Sequence, residues 1–507
     1  MRGSIQLPVS PDRSPLLSHF SSPSSQYRRR TPIVTWVAIG CICFLAGSLS
    51  RSLPGPSTLH RQATAYFPSL FPSSSFPRTP PVSQSYFQPS RTPPPSCALC
   101  DADPFNPLCH YGDSAIRLSR AYEGSGLRVR RFLAKALAGE EVTVGILGAS
   151  VTAGHGLQGE PTWLQTWWET FSEMLPNAKL VDGSAPAMTS RFYSYCHQTM
   201  VPVEADLYLI ELDINDELTL ETFNAVDALF RSLLDQPQQP AVIKLSAFAL
   251  AFEDMVRGTS ATLVQSQFFD VPVISLRNVL QPLTIAQPDL AASFFTEVAP
   301  GVPDYRHIGP SAHTGMADML TLYLHEQICL TQREVRYPRL LPKQGSQWMS
   351  EEVMERVPRL RVWDQWSETG QTPQMTPVCD FASSTHRPIV PLPSSSLEWK
   401  KVEWNGKSAI VSETVGSVAR FAVKGTSAGI FVWQHPSLQA GRASCWVDEA
   451  KDEALVINAW SEVVAATPTW VMVAEDMEEG EHILSCKIVN STTTDGHEVR
   501  IMGVVSH

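Results

Sequence analysis

Positive charge is scarce in this chain: 39 Lys and Arg stand against 50 Asp and Glu, a net charge of -11 over 507 residues. That balance argues against a nucleic-acid partner, which would need a basic surface to follow phosphates. Metal-ligand spacing is lacking too. Cys97 and Cys100 make a Cys-x-x-Cys pair with no second pair at zinc spacing and no thioredoxin-like context, which disfavours a zinc or redox site. The acids Glu211, Asp213, Asp216 and Glu217 have no His or Cys nearby at ligand spacing, so they read as a solvated loop. No metal and no cofactor is expected.

Charge is also missing from Thr31 to Ser50, a run rich in Ile, Val, Phe, Leu and Trp that is just long enough to cross a bilayer as a helix. Arg28, Arg29 and Arg30 precede it, and basic residues stay cytoplasmic. The expectation is a single-pass type II membrane protein: a cytoplasmic tail over 1–30, a signal anchor over 31–50, and all that follows in the lumen or outside, along the secretory route to the Golgi or cell surface. A cleaved signal peptide is the alternative, supported by Ala46, Gly47 and Ser48 but opposed by the long tail. Of ten cysteines, Cys41 and Cys43 lie in the apolar run, leaving an even number for an oxidising compartment, where disulfides form. Asn490-Ser491-Thr492 is a glycosylation sequon if this end is lumenal.

A stalk follows over 51–96, dominated by Pro and Ser from Leu53 onward and without helical or strand period. Residues 97–330 then alternate apolar strands with helices. Strands are expected at Val142 to Leu147, Lys179 to Val181, Ala205 to Leu212, Ala241 to Ala247 and Val271 to Leu276. Helices are expected at Leu127 to Leu137, Trp163 to Leu175, Ser190 to Met200, Leu218 to Leu234, Met255 to Phe268 and Thr314 to Leu330. This alternation predicts an α/β domain with a parallel sheet covered on both faces. Residues 331–395 lack a steady period and read as a connector wrapping between domains. From Leu397 onward helical period is almost absent, and short alternating runs predict an all-β sandwich over 396–507. Cys445 and Cys486 fall on two of its strands and are expected to pair. The aromatic sets Trp163, Trp167, Trp168, Phe171 and Trp433, Trp446, Trp460, Trp470 read as core before sugar platforms.

The chemistry centres on Gly148-Ala149-Ser150, a small-residue turn at the end of a buried strand. Ligands bind beyond the carboxyl ends of such strands, which makes Ser150 a candidate nucleophile. In Asp304-Tyr305-Arg306-His307 the carboxylate stands three residues before the imidazole; within one turn or helix start it would accept the Nδ1 proton and leave Nε2 as general base. Asn215, after the strand that ends near Leu212, offers an amide to a developing oxyanion. The small-residue loop from Asp182 to Ser190 offers a backbone N–H.

Taken in this order, these segments resemble the sequence blocks of the SGNH (GDSL-type) hydrolase superfamily, over about residues 140–330. The first block is Gly148-Ala149-Ser150 with Val151 to Gly156, the third Leu212-Asp213-Ile214-Asn215-Asp216, and the fifth Asp304 to His307 leading into His313 to Asp318. In detail the chain is similar to a fungal and algal branch with an N-terminal anchor, a cysteine-bearing lead-in like Cys97 to Cys109, and a C-terminal β-sandwich. The resemblance implies a three-layer α/β/α fold and ester chemistry, often on O-acetyl groups of polysaccharides. It departs from the pattern at Ala149, where Asp is usual, at Pro186-Ala187, where Gly is usual, and at Asp213, which replaces Gly and is expected to face away from the site. The implied catalytic residues are Ser150, Asp304 and His307, with an oxyanion hole from the N–H groups of Ser150 and Ala187 and the Asn215 amide. An acylated glycan is the expected substrate. An inactive membrane-tethered glycan-binding protein and a lipase-like esterase are the alternatives.

Overall fold

Seven residues from Val142–Gly148 form strand β2, and all but one of them are buried. The computed structural model describes residues 96–252, 258–336, 356–372, 375–462 and 467–507. The expected tail 1–30, anchor 31–50 and stalk, apart from Ser96, lie outside the described residues, as do the start of the Met255 to Phe268 helix and parts of the connector. No helix among the described residues is long and apolar enough to cross a membrane.

Strand β2 lies one in from the edge of a sheet with β3 (Ala178–Asp182), β4 (Leu207–Glu211), β5 (Ala241–Ser246), β6 (Val273–Ser275) and the short edge strand β1 (Arg120–Tyr122), in the order β1-β6-β5-β4-β2-β3. All pairs are parallel except β1 with β6. Because side chains alternate along each strand, Val144, Ile146, Leu209 and Ile243 join one core and Leu147, Tyr208, Ile210 and Val242 the other. Helices α3 (Leu127–Leu137), α4 (Trp163–Met174) and α9 (Pro310–Arg336) cover the first face. The second is covered by α5 (Ser190–Met200) and α6 (Leu220–Leu234). Threonines set the starts of three of these helices: Thr162 closes a capping box with Gln165 on α4, and Thr189 and Thr219 cap α5 and α6. The three-layer α/β/α arrangement is the one expected.

The chain runs from β2 outward to β3 and then returns to the other side of β2 as β4. The strand order therefore reverses between β2 and β4, which is where open α/β sheets bind their ligands.

Two antiparallel sheets make up the sandwich. One has the order β10 (Lys400–Trp404), β11 (Lys407–Ser412), β18 (Val499–Ser506), β13 (Ala428–Gln434), β16 (Thr467–Ala474), with β9 (Val378–Phe381) also paired to β18. The other has the order β12 (Val418–Gly425), β17 (Gly480–Ile488), β14 (Arg442–Val447), β15 (Leu455–Asn458). Cys445 and Cys486 are directly opposed on β14 and β17 and form a disulfide. The reading of 331–395 as connector alone is corrected: β9 belongs to the sandwich sheet. Residues 356–372 do wrap, with Arg231 of α6 held by the carbonyls of Pro358 and Leu360 and Phe223 against Trp363.

The sandwich completes the α/β core. Phe192 of α5 packs on Phe381 and Phe431 at centroid distances of 4.7 and 5.3 Å, and Tyr195 stacks on Trp470 at 4.6 Å. Trp433 is buried in the same core, and Trp163, Trp167 and Phe171 are buried under the α/β sheet, so these rings form cores and not sugar platforms. A disulfide from Cys196 to Cys379 crosses from α5 to β9, and Thr199 Oγ1 donates to the Cys379 carbonyl at 2.6 Å. Cys97 pairs with Cys329 and Cys100 with Cys109, so the Cys-x-x-Cys residues are tied to different partners.

Candidate active site

Ser150 follows β2 immediately, in a tight turn where the Ala153 N–H bonds the Ala149 carbonyl and the His155 N–H the Ser150 carbonyl. Glycine is required two residues before it, because a Cβ on Gly148 would collide with the Thr152 side chain. Ala149, between Gly148 and Ser150, is fully buried.

His307 reaches Ser150 from β8 (Val302–Ile308), which pairs with β7 (Phe295–Ala299) in a separate two-stranded sheet ahead of α9. The expectation of one turn or a helix start for Asp304 to His307 is corrected: the segment is a strand. In a regular strand residues three apart face opposite ways. Tyr305 breaks that alternation with a φ of 56°, and Asp304 and His307 then meet. Asp304 Oδ2 lies 2.5 Å from His307 Nδ1, and His307 Nε2 lies 3.0 Å from Ser150 Oγ. Thr296 Oγ1 donates to the His307 carbonyl at 3.3 Å, and the Tyr305 carbonyl accepts from the N–H groups of Leu250 and Ala251. Burial lowers the His307 pKa below its ordinary value, and the Asp304 hydrogen bond opposes that shift. The His155 ring, which is exposed, lies 4.4 Å from that of His307, and its charge also lowers the His307 pKa.

The loop after β3 is tied back to β2 by the Gly183 N–H on Ile146 and the Ala185 N–H on Gly148. Ala187 within it has a φ of 70°, the left-handed conformation that glycine takes without cost. Alanine thus holds the backbone path expected of the missing glycine. Among the described residues no acceptor receives the N–H of Ser150 or of Ala187, which leaves both for an oxyanion. Asn215 follows β4, across the reversal from Ser150. Its Nδ2 donates to the Met188 carbonyl at 2.8 Å, which fixes the amide against the Ala187 loop. One amide hydrogen is used there and the second remains for a ligand.

The acids near Asn215 are not a solvated loop, and that reading is corrected. Only Glu217 is exposed, while Glu211, Asp213 and Asp216 are buried. Asp216 accepts from Ser190 N and Oγ at 2.8 and 2.5 Å, and burial raises its pKa to about 6. Glu211 accepts from Thr152 Oγ1 at 2.9 Å, and burial raises its pKa to about 8. Asp213 pairs with Lys244 Nζ at 2.8 Å. No group of three or more His, Cys, Asp or Glu among the described residues is placed to hold a metal ion. Sequence reasoning missed Lys244, although a lysine between Ile243 and Leu245 in a wholly buried strand was a legible signal. It also missed Thr296 and His155, for which the sequence held none.

No family model and no curated protein matches the chain. Among solved structures, a two-domain esterase (CEX) active on acetylated mannans has the same fold: TM-score 0.55 at 15% identity, over 77% of this chain and 98% of that one. The same esterase co-crystallized with mannopentaose aligns with TM-score 0.55 at 16% identity and the same coverage.

Proposed function

We propose that this protein is a serine esterase of the SGNH (GDSL) type that removes small acyl groups, O-acetyl above all, from a glycan. The observation that carries the reading is the hydrogen-bonded chain from Asp304 through His307 to Ser150 at the β2/β4 reversal. His307 Nε2 takes the Ser150 proton as Oγ attacks the ester carbonyl, and Asp304 holds the imidazole in the needed tautomer. The Ser150 and Ala187 N–H groups and the free Asn215 amide hydrogen hold the tetrahedral oxyanion. His307 then gives its proton to the leaving sugar oxygen as the ester C–O bond breaks, releasing the sugar hydroxyl. Water resolves the acyl-enzyme in hydrolysis, and a second sugar hydroxyl would do so in transfer.

The choice of glycan follows the two-domain esterase of the same fold, which acts on acetylated mannans. The uncharged run at 31–50 and its preceding arginines support a type II anchor in the secretory pathway, and four disulfides suit that compartment. Asn490 is exposed and open to glycosylation there. The test is hydrolysis of p-nitrophenyl acetate against p-nitrophenyl octanoate by the purified full chain. Preference for acetate supports the reading, preference for octanoate favours a lipase-like enzyme, and no turnover of either overturns it.

A further inference from the structure

A lysine and an aspartate buried beside an oxyanion hole need a physical reason. Lys244 and Asp213 are each 1% exposed. Desolvating two charges costs more than their attraction commonly returns, and an apolar pair of the same size would serve a core as well or better. Their place in the fold supplies the reason. Asp213 is two residues before Asn215, in a turn where the N–H groups of Asn215 and Asp216 both bond the Leu212 carbonyl. Lys244 sits on the neighbouring strand β5 and is itself held by Thr262 Oγ1 at 2.6 Å. On the other side the same turn is tied to the start of α5 through Asp216 and Ser190, and to the Ala187 loop through Asn215 and Met188.

We infer that the Asp213–Lys244 pair is a positioning device for the oxyanion hole: it pins the Asn215 turn to β5 and cancels a negative charge that would otherwise oppose the oxyanion. The inference rests on the esterase reading. Hydrogen-bond donors stabilise an oxyanion only when held in place before the reaction, and a misplacement of about 1 Å can cost 100-fold. Lys244 and Asp213 touch no substrate in this scheme and act through Asn215.

The experiment uses the full chain with Lys244→Met, Asp213→Asn and both together, each with and without Asn215→Ala. Turnover of p-nitrophenyl acetate and the rate of Ser150 labelling by a fluorophosphonate are read alongside thermal unfolding. The neutral double variant guards against misfolding of either single one. Folded and neutral, it is expected to lose about 10- to 100-fold in kcat and in labelling rate with KM within about 3-fold. Asn215→Ala, which costs about 100-fold or more on its own, should then cost the double variant about 10-fold or less. Unchanged kcat and labelling in the folded double variant, or full additivity with Asn215→Ala, overturns the inference and leaves the esterase reading standing. Absence of both turnover and labelling in the wild type overturns the esterase reading, and this inference with it.

Discussion

Ser150 Oγ and His307 Nε2 lie 3.0 Å apart although the two residues are 157 positions apart in the chain. The contact joins the end of β2 to a hairpin outside the main sheet. On the proposed esterase reading, replacing either side chain removes the nucleophile or its base, and each change alone should cost at least about 1,000-fold in kcat on p-nitrophenyl acetate. Ser150→Ala should leave thermal unfolding nearly unchanged, so a folded protein that keeps acetate turnover would show another residue to be the nucleophile.

The pH profile follows from the imidazole's surroundings. Burial and the nearby His155 both lower the His307 pKa, so the neutral base forms below its ordinary value. The acid limb of kcat/KM should therefore fall below about pH 6.5. In His155→Gln one lowering influence is gone, and the limb should move to higher pH. A limb that stays fixed or moves down would contradict the coupling.

Ala187 holds a φ of 70°. A left-handed conformation costs an alanine roughly 1 kcal/mol that glycine does not pay. Ala187→Gly should retain kcat, with any stability change within about 1 kcal/mol, since glycine also gains freedom in the unfolded chain. In Ala187→Val the branched side chain cannot follow this path without strain, and kcat should fall about 10-fold or more as the N–H leaves its place. Both are read by steady-state kinetics on the acetate ester.

The α/β core was legible because its strands are short apolar runs and its helices carry an apolar stripe: Ser190–Met200 has the same ends in sequence and structure. The β7–β8 hairpin was not, since Val302–Ile308 mixes Pro, Asp, Arg and His and its bend depends on the single left-handed Tyr305. Strands β10 and β11 were missed although Asn405-Gly406, both at positive φ, is the hairpin turn dipeptide. Strand β9 carries too short a pattern to declare itself, and long-range pairing with β18 makes it a strand. The acids around Asn215 misled because sequence gives charge but not burial. Only the fold brings Lys244 beside Asp213.

His197 predicts an acid sensitivity of the fold. It is fully buried on α5, its Nδ1 donating to the Tyr193 carbonyl and its Nε2 accepting from Ser232 Oγ, and burial lowers its pKa to about 4. The native state binds fewer protons than the unfolded one between that value and about 6.5. Its contribution is therefore present above about pH 6.5 and lost as pH falls through 4, about 3 kcal/mol in all. His313, with its pKa also lowered to about 4, adds a term of the same sign. Urea midpoints should fall from pH 7 to pH 4.5, and His197→Gln should flatten the slope. An unchanged slope would mean that His197 is not buried neutral.

Phe431 tests whether the sandwich is an appended module or part of the core it shares with the α/β domain. It is fully buried and touches Phe192 of α5 and Trp470 of the sandwich. Phe431→Ala should cost about 3–5 kcal/mol by leaving a cavity in that shared core. Removing everything after Arg336 would strip α5 of Phe381, Phe431 and Trp470, and would leave Cys196 without Cys379. Such a chain should aggregate, because α5 would present an apolar face with nothing over it. Phe192 stands on that face only two residues into the helix whose start carries Ser190 and the Asp216 bonds, so the damage would reach the loop that carries Ala187 directly. A truncated chain that is soluble, with full acetate turnover, would make the sandwich an independent appendage. Its failure to fold, beside a Phe431→Ala variant that has lost both stability and kcat, would identify the sandwich as the wall that holds α5 and the loop before it in place.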